Sequence, residues 1–145
     1  MPEILHQFPI KAPANKVFDG VATPAGLDQW WTKTSAGNPA IGETYELFFG
    51  ESYDWRAIVT KCLPNQEFEL EMTVADADWL RSKIGFVIKP TNAKGNTIVE
   101  FYHTGWAEKS DHYRISSFCW AMYLRILKRY LEFGEEVAYE KRLSV

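Results

Sequence analysis

The sequence predicts an α+β protein, an antiparallel sheet whose inward face is covered by one long helix near the C-terminus. Three observations lead there. Between Gly42 and His103 hydrophobic residues recur at every second position, as they do in half-buried strands. Single Gly and Pro residues punctuate that stretch, which suits consecutive short strands joined by turns. From Tyr113 to Phe133 the apolar spacing becomes helical.

Each element follows in order. Ile4 to Ile10 reads as a strand ended by Lys11-Ala12-Pro13. Pro13 suits a helix start, because its φ is already helical and the amide it lacks would have had no partner there. Val17, Phe18 and Val21 give this helix an apolar face, and Thr23 ends it, since the residue before Pro24 is pushed out of the helical region. A second short helix runs through Leu27, Trp30 and Trp31. Neighbours on a helix point about 100° apart, so only one of the two tryptophans is expected to face fully inward.

Tyr45, Leu47 and Phe49 then alternate as a strand, and Trp55 to Leu63 forms another, whose inward face is hidden by the apolar run Ala57-Ile58-Val59. Phe68, Leu70, Met72 and Val74 alternate with Glu67, Glu69, Glu71 and Thr73, so the glutamates are expected as a solvated outer stripe rather than a catalytic dyad. Ile84, Phe86 and Ile88 make the next strand, ended by Pro90. A turn around Gly95 leads into the last, with Val99, Phe101 and His103 inward.

On the long helix, Trp120, Tyr123, Leu124, Leu127 and Leu131 form one apolar stripe and Cys119, Met122, Ile126 and Phe133 another, so a wide buried face is expected. Ser110 or Asp111 is its N-cap, and Gly134 stops it in the left-handed conformation. Val137, Tyr139 and Leu143 keep a two-residue beat. Val137 to Val145 is therefore expected to run extended, across the surface or against the second subunit of a homodimer.

The 145 residues and 16.7 kDa fit one domain, residues 1–145. A net charge of -3 and a pI near 5.6 lack the basic footprint that phosphate backbones require, which argues against nucleic acid. The longest apolar run, Phe118 to Leu124, is far short of the roughly 20 residues that span a bilayer, and MPEILHQFPI has no basic or long apolar leader. No membrane insertion and a cytoplasmic location are expected. Cys62 and Cys119 read as buried thiols. His6, His103 and His112 have no ligand spacing, so no metal is expected. Ser52 does not sit in a G-x-S-x-G elbow and no glycine-rich phosphate loop occurs, so no cofactor is expected either.

Four segments in order resemble the START-like (SRPBCC) superfamily, in its branch related to the C-terminal domain of the Hsp90 ATPase activator. They are IKAPANKVFDGVATPAGLDQWW, Gly42-x-x-Tyr45-x-Leu47, TIVEFYHTGW from Thr97 to Trp106, and WAMYLRILKRYLEFG from Trp120 to Gly134. The resemblance implies a helix-grip fold, in which a strongly curved antiparallel sheet wraps the C-terminal helix and leaves a cavity between them. The same scaffold carries ligand binders, cyclases and co-chaperones, so it implies fold more narrowly than function.

The chain is 15% aromatic, with nine Phe, seven Tyr and six Trp. At roughly 150 to 250 Å² of burial each, these rings exceed what a core this size commonly takes, so some are expected to line a space. Trp30, Trp31, Trp55, Trp106 and Trp120 are the leading candidates, with one of the first two facing inward, joined by Phe86, Phe101 and Tyr123. His103, inward and near its strand end, is expected at the cavity mouth facing Trp120 across the space, with His112 close by. The alternatives are ordinary core packing for the rings, a hydrogen-bonded structural His103, and plain helix-start roles for Asp111 and His112. The leading functional reading is a binding module for a small hydrophobic molecule such as a lipid. Competing with it are a cyclase, dehydratase or hydrolase using His103 as acid or base with help from Tyr113 or Tyr123, and a regulator of an Hsp90-type chaperone. The larger co-chaperone carries a separate N-terminal domain for which this chain has no room. No catalytic motif demands an enzyme.

Overall fold

The computed structural model describes residues 2–144. Strand β1 (Ile4–Ile10) is followed by helices α1 (Ala14–Ala22) and α2 (Pro24–Leu27), then by β2 (Thr34–Ala36), β3 (Thr44–Phe48), β4 (Asp54–Leu63), β5 (Glu67–Val74), β6 (Lys83–Pro90) and β7 (Thr97–Thr104). Helix α3 (Asp111–Phe133) and a 3-10 helix (Tyr139–Ser144) come last. The seven strands form one antiparallel sheet in the order β1-β7-β6-β5-β4-β3-β2. Strands β2 to β7 are a meander, and β1 closes it by pairing Ile4 with His103 and Ile10 with Thr97. Two irregularities between β4 and β5, at Arg56/Ala57 and Val59/Lys61, add the bend and twist that curl a sheet. Its inner face meets α3 in the expected helix-grip arrangement.

The alternation read from the sequence sets the inner face. Tyr45, Leu47, Ala57, Val59, Phe68, Leu70 and Met72 are buried, as are Ile84, Phe86, Ile88, Val99 and Phe101. Helix α3 adds Trp120, Leu124 and Leu127. Thr23 both ends α1 and caps α2, its extended backbone allowing its hydroxyl to accept from the Gly26 amide at 3.0 Å. Ser110 is the N-cap of α3, and Gly134 ends it with φ 68° and ψ 20°. No helix of the described residues is long and apolar enough to cross a membrane.

Several expectations need correction. β2 pairs with β3 but is only three residues, TSA, too short and too polar to announce itself by alternation. The second helix begins at Pro24 and ends at Leu27, after which the amides of Trp30, Trp31 and Thr32 all return to the Leu27 carbonyl. Because these are turns and not helix, the 100° rule lapses and both indoles enter the core, stacked with centroids 6.1 Å apart. Trp30 anchors this by donating to the Gly20 carbonyl at 2.9 Å.

On the outer face, Glu69 is buried rather than solvated. Tyr102 lies across Gly85, where a Cβ would meet the ring carbon at 2.1 Å, and its phenol donates to the Glu69 carboxylate. The Thr60 hydroxyl donates to the same carboxylate at 2.7 Å, so the buried charge has its partners.

Helix α3 is less enclosed than its composition suggests, with Ile115, Phe118 and Phe133 exposed. Both cysteines are only half-buried. After Gly134 the chain does leave the helix, but Tyr139–Ser144 winds into a 3-10 helix instead of running extended; Val145 lies outside the described residues. The reason is Arg142, buried and donating to the backbone carbonyls of Val137, Thr32 and Asp28. A strand would separate these contacts.

Candidate functional site

Strand β7 carries His103 to the inner face, where it is fully buried. Its Nδ1 accepts from the Trp120 indole N–H at 3.0 Å, which leaves the proton of a neutral ring on Nε2, 2.7 Å from the Ser82 hydroxyl. Ser82 in turn donates to the Trp79 carbonyl. The chain of donors runs one way, from Trp120 through His103 and Ser82 to the backbone. Burial, with repulsion from the protonated form of neighbouring His112 as the lesser cause, drops the His103 pKa to about 3, so the His103 ring is neutral at ordinary pH.

This overturns the expected position of His103. It and Trp120 are hydrogen-bonded and in edge contact, with ring centroids 6.0 Å apart, so no space separates them. Both ring nitrogens are engaged, leaving none for acid or base work. Phe86, Phe101 and Trp106 are likewise core: Phe86 and Phe101 pack edge to face at 5.3 Å, and Trp106 is fully enclosed beside His103, His112 and Tyr113. The Trp106 indole N–H has no partner among the described residues.

The open space lies on the other side of Trp120. A cleft of about 330 Å³ is lined by Trp31, Phe49, Tyr53 and Trp55 on one wall, by Trp79, and by α3 through His112, Ile115, Ser116, Cys119, Trp120 and Tyr123. Positions 112, 116, 119 and 123 recur at three- and four-residue steps, which sets them along one face of the helix. Tyr139 and Leu143 of the 3-10 helix complete the lining, and the Tyr139 phenol ties that segment to the residue just after β3 by donating to the Phe49 carbonyl at 2.9 Å. Of the residues singled out from sequence, Trp31, Trp55, His112, Trp120 and Tyr123 come together here, while Trp30, Phe86, Phe101, His103 and Trp106 do not.

The rings form a continuous aromatic surface. Trp79 lies nearly parallel to Trp120 (19°) and to His112 (24°), and Trp55 packs on Trp79 at 5.0 Å. Trp31 meets Trp120 at 5.1 Å and Phe49 at 5.2 Å. Most of the polar atoms are already engaged: the Trp79 indole donates to Ser116 at 3.2 Å, and His112 Nδ1 lies 2.8 Å from both oxygens of Asp78. Burial raises the Cys119 thiol above its ordinary pKa and pushes the Tyr123 phenol up to about 12, so neither ionises near neutrality.

Trp79 and Asp78 were missed from sequence. They sit in the Ala75–Ser82 loop, which has no periodicity to read; the one signal is a tryptophan in a short irregular stretch, ADADWLRS.

A family model described as Activator of Hsp90 ATPase homolog 1-like protein matches residues 11–132. The chain belongs to that family. Among solved structures, this Activator of Hsp90 ATPase homolog 1-like chain is similar to the Aha1 dimer from Colwellia psychrerythraea, at 29% identity and TM-score 0.81 over 93% of this chain and 99% of that one. A protein from Mesorhizobium loti shares the fold at 18% identity and TM-score 0.80, covering 92% of this chain and 99% of its own. CalU16 from Micromonospora echinospora shares it at 15% identity and TM-score 0.71, covering 98% and 81% respectively. A comparison with curated protein sequences finds no match.

Proposed function

We propose that the protein is a cytoplasmic binding module, a single domain holding a small, mostly hydrophobic molecule in the cleft between α3, the β3–β4 end of the sheet and the 3-10 helix. The observation that carries this reading is a wall of four indoles, Trp31, Trp55, Trp79 and Trp120, around about 330 Å³, within the size range of small-molecule sites. Thermal unfolding with a library of aromatic and lipid-like compounds, alongside native mass spectrometry of the purified protein, tests it. Stabilisation by a subset of compounds is expected, growing with the logarithm of their concentration. No stabilisation by any compound and no co-purified molecule would sink the reading.

The family description and the likeness to an Aha1 dimer favour a second reading, regulation of an Hsp90-type ATPase. A change in Hsp90 ATPase rate on adding the protein supports it, and an unchanged rate with no co-precipitation retires it. A homodimer is proposed on the same likeness, with the exposed Phe118 and Ile115 of α3 offering apolar surface for it; light scattering at rising concentration tests that directly.

A further inference from the structure

The cleft wall is mostly apolar, so the polar atoms it leaves open decide what else a ligand must carry. Trp79 spends its N–H on Ser116, Trp120 spends its own on His103, and the Tyr139 phenol is engaged with Phe49. Trp31 and Trp55 have only N–H groups to offer. The Tyr53 and Tyr123 hydroxyls lack a protein partner among the described residues, but each can turn about its C–O bond and serve water equally well.

His112 is different. Its Nδ1 faces the Asp78 carboxylate at 2.8 Å from both oxygens. A carboxylate accepts and does not donate, so Nδ1 carries a proton and, in the neutral ring, Nε2 is the acceptor. Nε2 has no partner among the described residues, and the ring lines the cleft beside the Trp79 face. The carboxylate fixes both the tautomer and the orientation, as an outer partner does for any working histidine.

We infer that His112, positioned by Asp78, is the polar pole of the cleft and selects a planar aromatic ligand bearing a hydroxyl, the hydroxyl donating to Nε2 while the ring lies against the indoles. This rests on the cleft being a binding site, which is the reading above. It adds the ligand's chemistry: a phenol-type donor on an aromatic body, rather than an aliphatic chain or an unsubstituted ring.

The test is equilibrium dialysis of the whole protein against 2-naphthol and against 2-methoxynaphthalene, which has the same ring but no donor. The ether is the more apolar of the two, so burial alone favours it. The inference expects naphthol to bind about three- to tenfold tighter, the worth of one net hydrogen bond. His112→Phe should erase that preference. Asp78→Asn, which frees the imidazole without removing it, should shrink the preference while retaining part of it, and it carries the test if circular dichroism shows the Phe variant unfolded. Equal binding of the two probes, or a naphthol preference that survives His112→Phe, overturns the inference and leaves the cleft reading standing. Retention of neither probe also overturns the inference, and the cleft reading falls with it only if the wider compound library fails as well.

Discussion

Behind the Trp79 and Trp120 indoles lie His103, Ser82 and Trp106, all fully buried; in front of the same two rings lies the cleft, with Tyr53, Ile115 and Leu143 exposed at its edges. The two regions draw on the same residue types. Each has tryptophans, a histidine and a histidine partner, His103 with Ser82 in one and His112 with Asp78 in the other. What separates them is the third layer. Behind the indoles, β7 and the Ala75–Ser82 loop close on α3 and every polar atom of the His103 chain is satisfied, so the histidine is locked neutral. In front, the cleft lies between α3 and the β3–β4 end of the sheet, and the 3-10 segment reaches across it through Tyr139. Aromatic content therefore decides neither core nor site; the backbone that does or does not meet it from the far side does.

The largest effect that would break this comparison is at Trp120, which belongs to both regions. It is 2% exposed and hydrogen-bonded, so Trp120→Ala should cost roughly 3 to 5 kcal/mol in chemical denaturation, the range for a fully packed aromatic. A loss below about 1 kcal/mol would mean that the cleft extends behind the indoles after all.

His103→Phe comes next. It strands the buried Trp120 N–H and should cost roughly 1 to 3 kcal/mol without altering ligand affinity. The pH dependence belongs to the same residue. Unfolded, the ring takes a proton near 6.5; folded, it resists until about 3. Between those values the unfolded state binds more protons, so stability falls as pH drops through that window, by up to about 1.4 kcal/mol per pH unit, and is fully retained above it. Denaturation midpoints between pH 7 and pH 4 should show a shallower slope for His103→Phe than for wild type. An identical slope would mean that the buried ring is not the source.

Trp55→Ala, on the cleft side, should cost about 1 kcal/mol, because the side chain is only half-buried, yet weaken binding of an aromatic probe about tenfold. Stability loss without binding loss would assign Trp55 to the core. The smallest effect is expected at exposed Phe118, where Phe118→Ser should shift stability by less than about 0.5 kcal/mol. Any clear change would appear instead in the concentration dependence of molecular mass.

The fold was legible because its signals are local and periodic: the Glu67–Val74 alternation, the Thr23-Pro24 break and the Gly134 stop each act within a few residues. The cleft was legible in part. Trp31, Trp55, Trp120, His112 and Tyr123 were picked out as aromatic or inward, but nothing in an alternating pattern distinguishes a ring that meets a third layer from one that does not, so Phe86, Phe101, His103 and Trp106 were grouped with them. Trp79 and Asp78 depend on the path of a loop, and Glu69 on a tyrosine from two strands away folding over a glycine. Such long-range placements leave no trace in residue spacing.

The Arg142 guanidinium is held by three backbone carbonyls and, among the described residues, by no carboxylate, and burial pulls its pKa below the ordinary arginine value. Because carbonyls are present whatever the side chains of Asp28, Thr32 and Val137, this latch is indifferent to sequence on its receiving side. The wall it fastens, Tyr139 and Leu143, also lies beyond residue 132, where the family match ends. The cleft thus has one interchangeable panel. Exchanging the segment after Gly134 while keeping an arginine at the latch offers a way to resize the opening and retune selectivity without disturbing a single strand of the sheet.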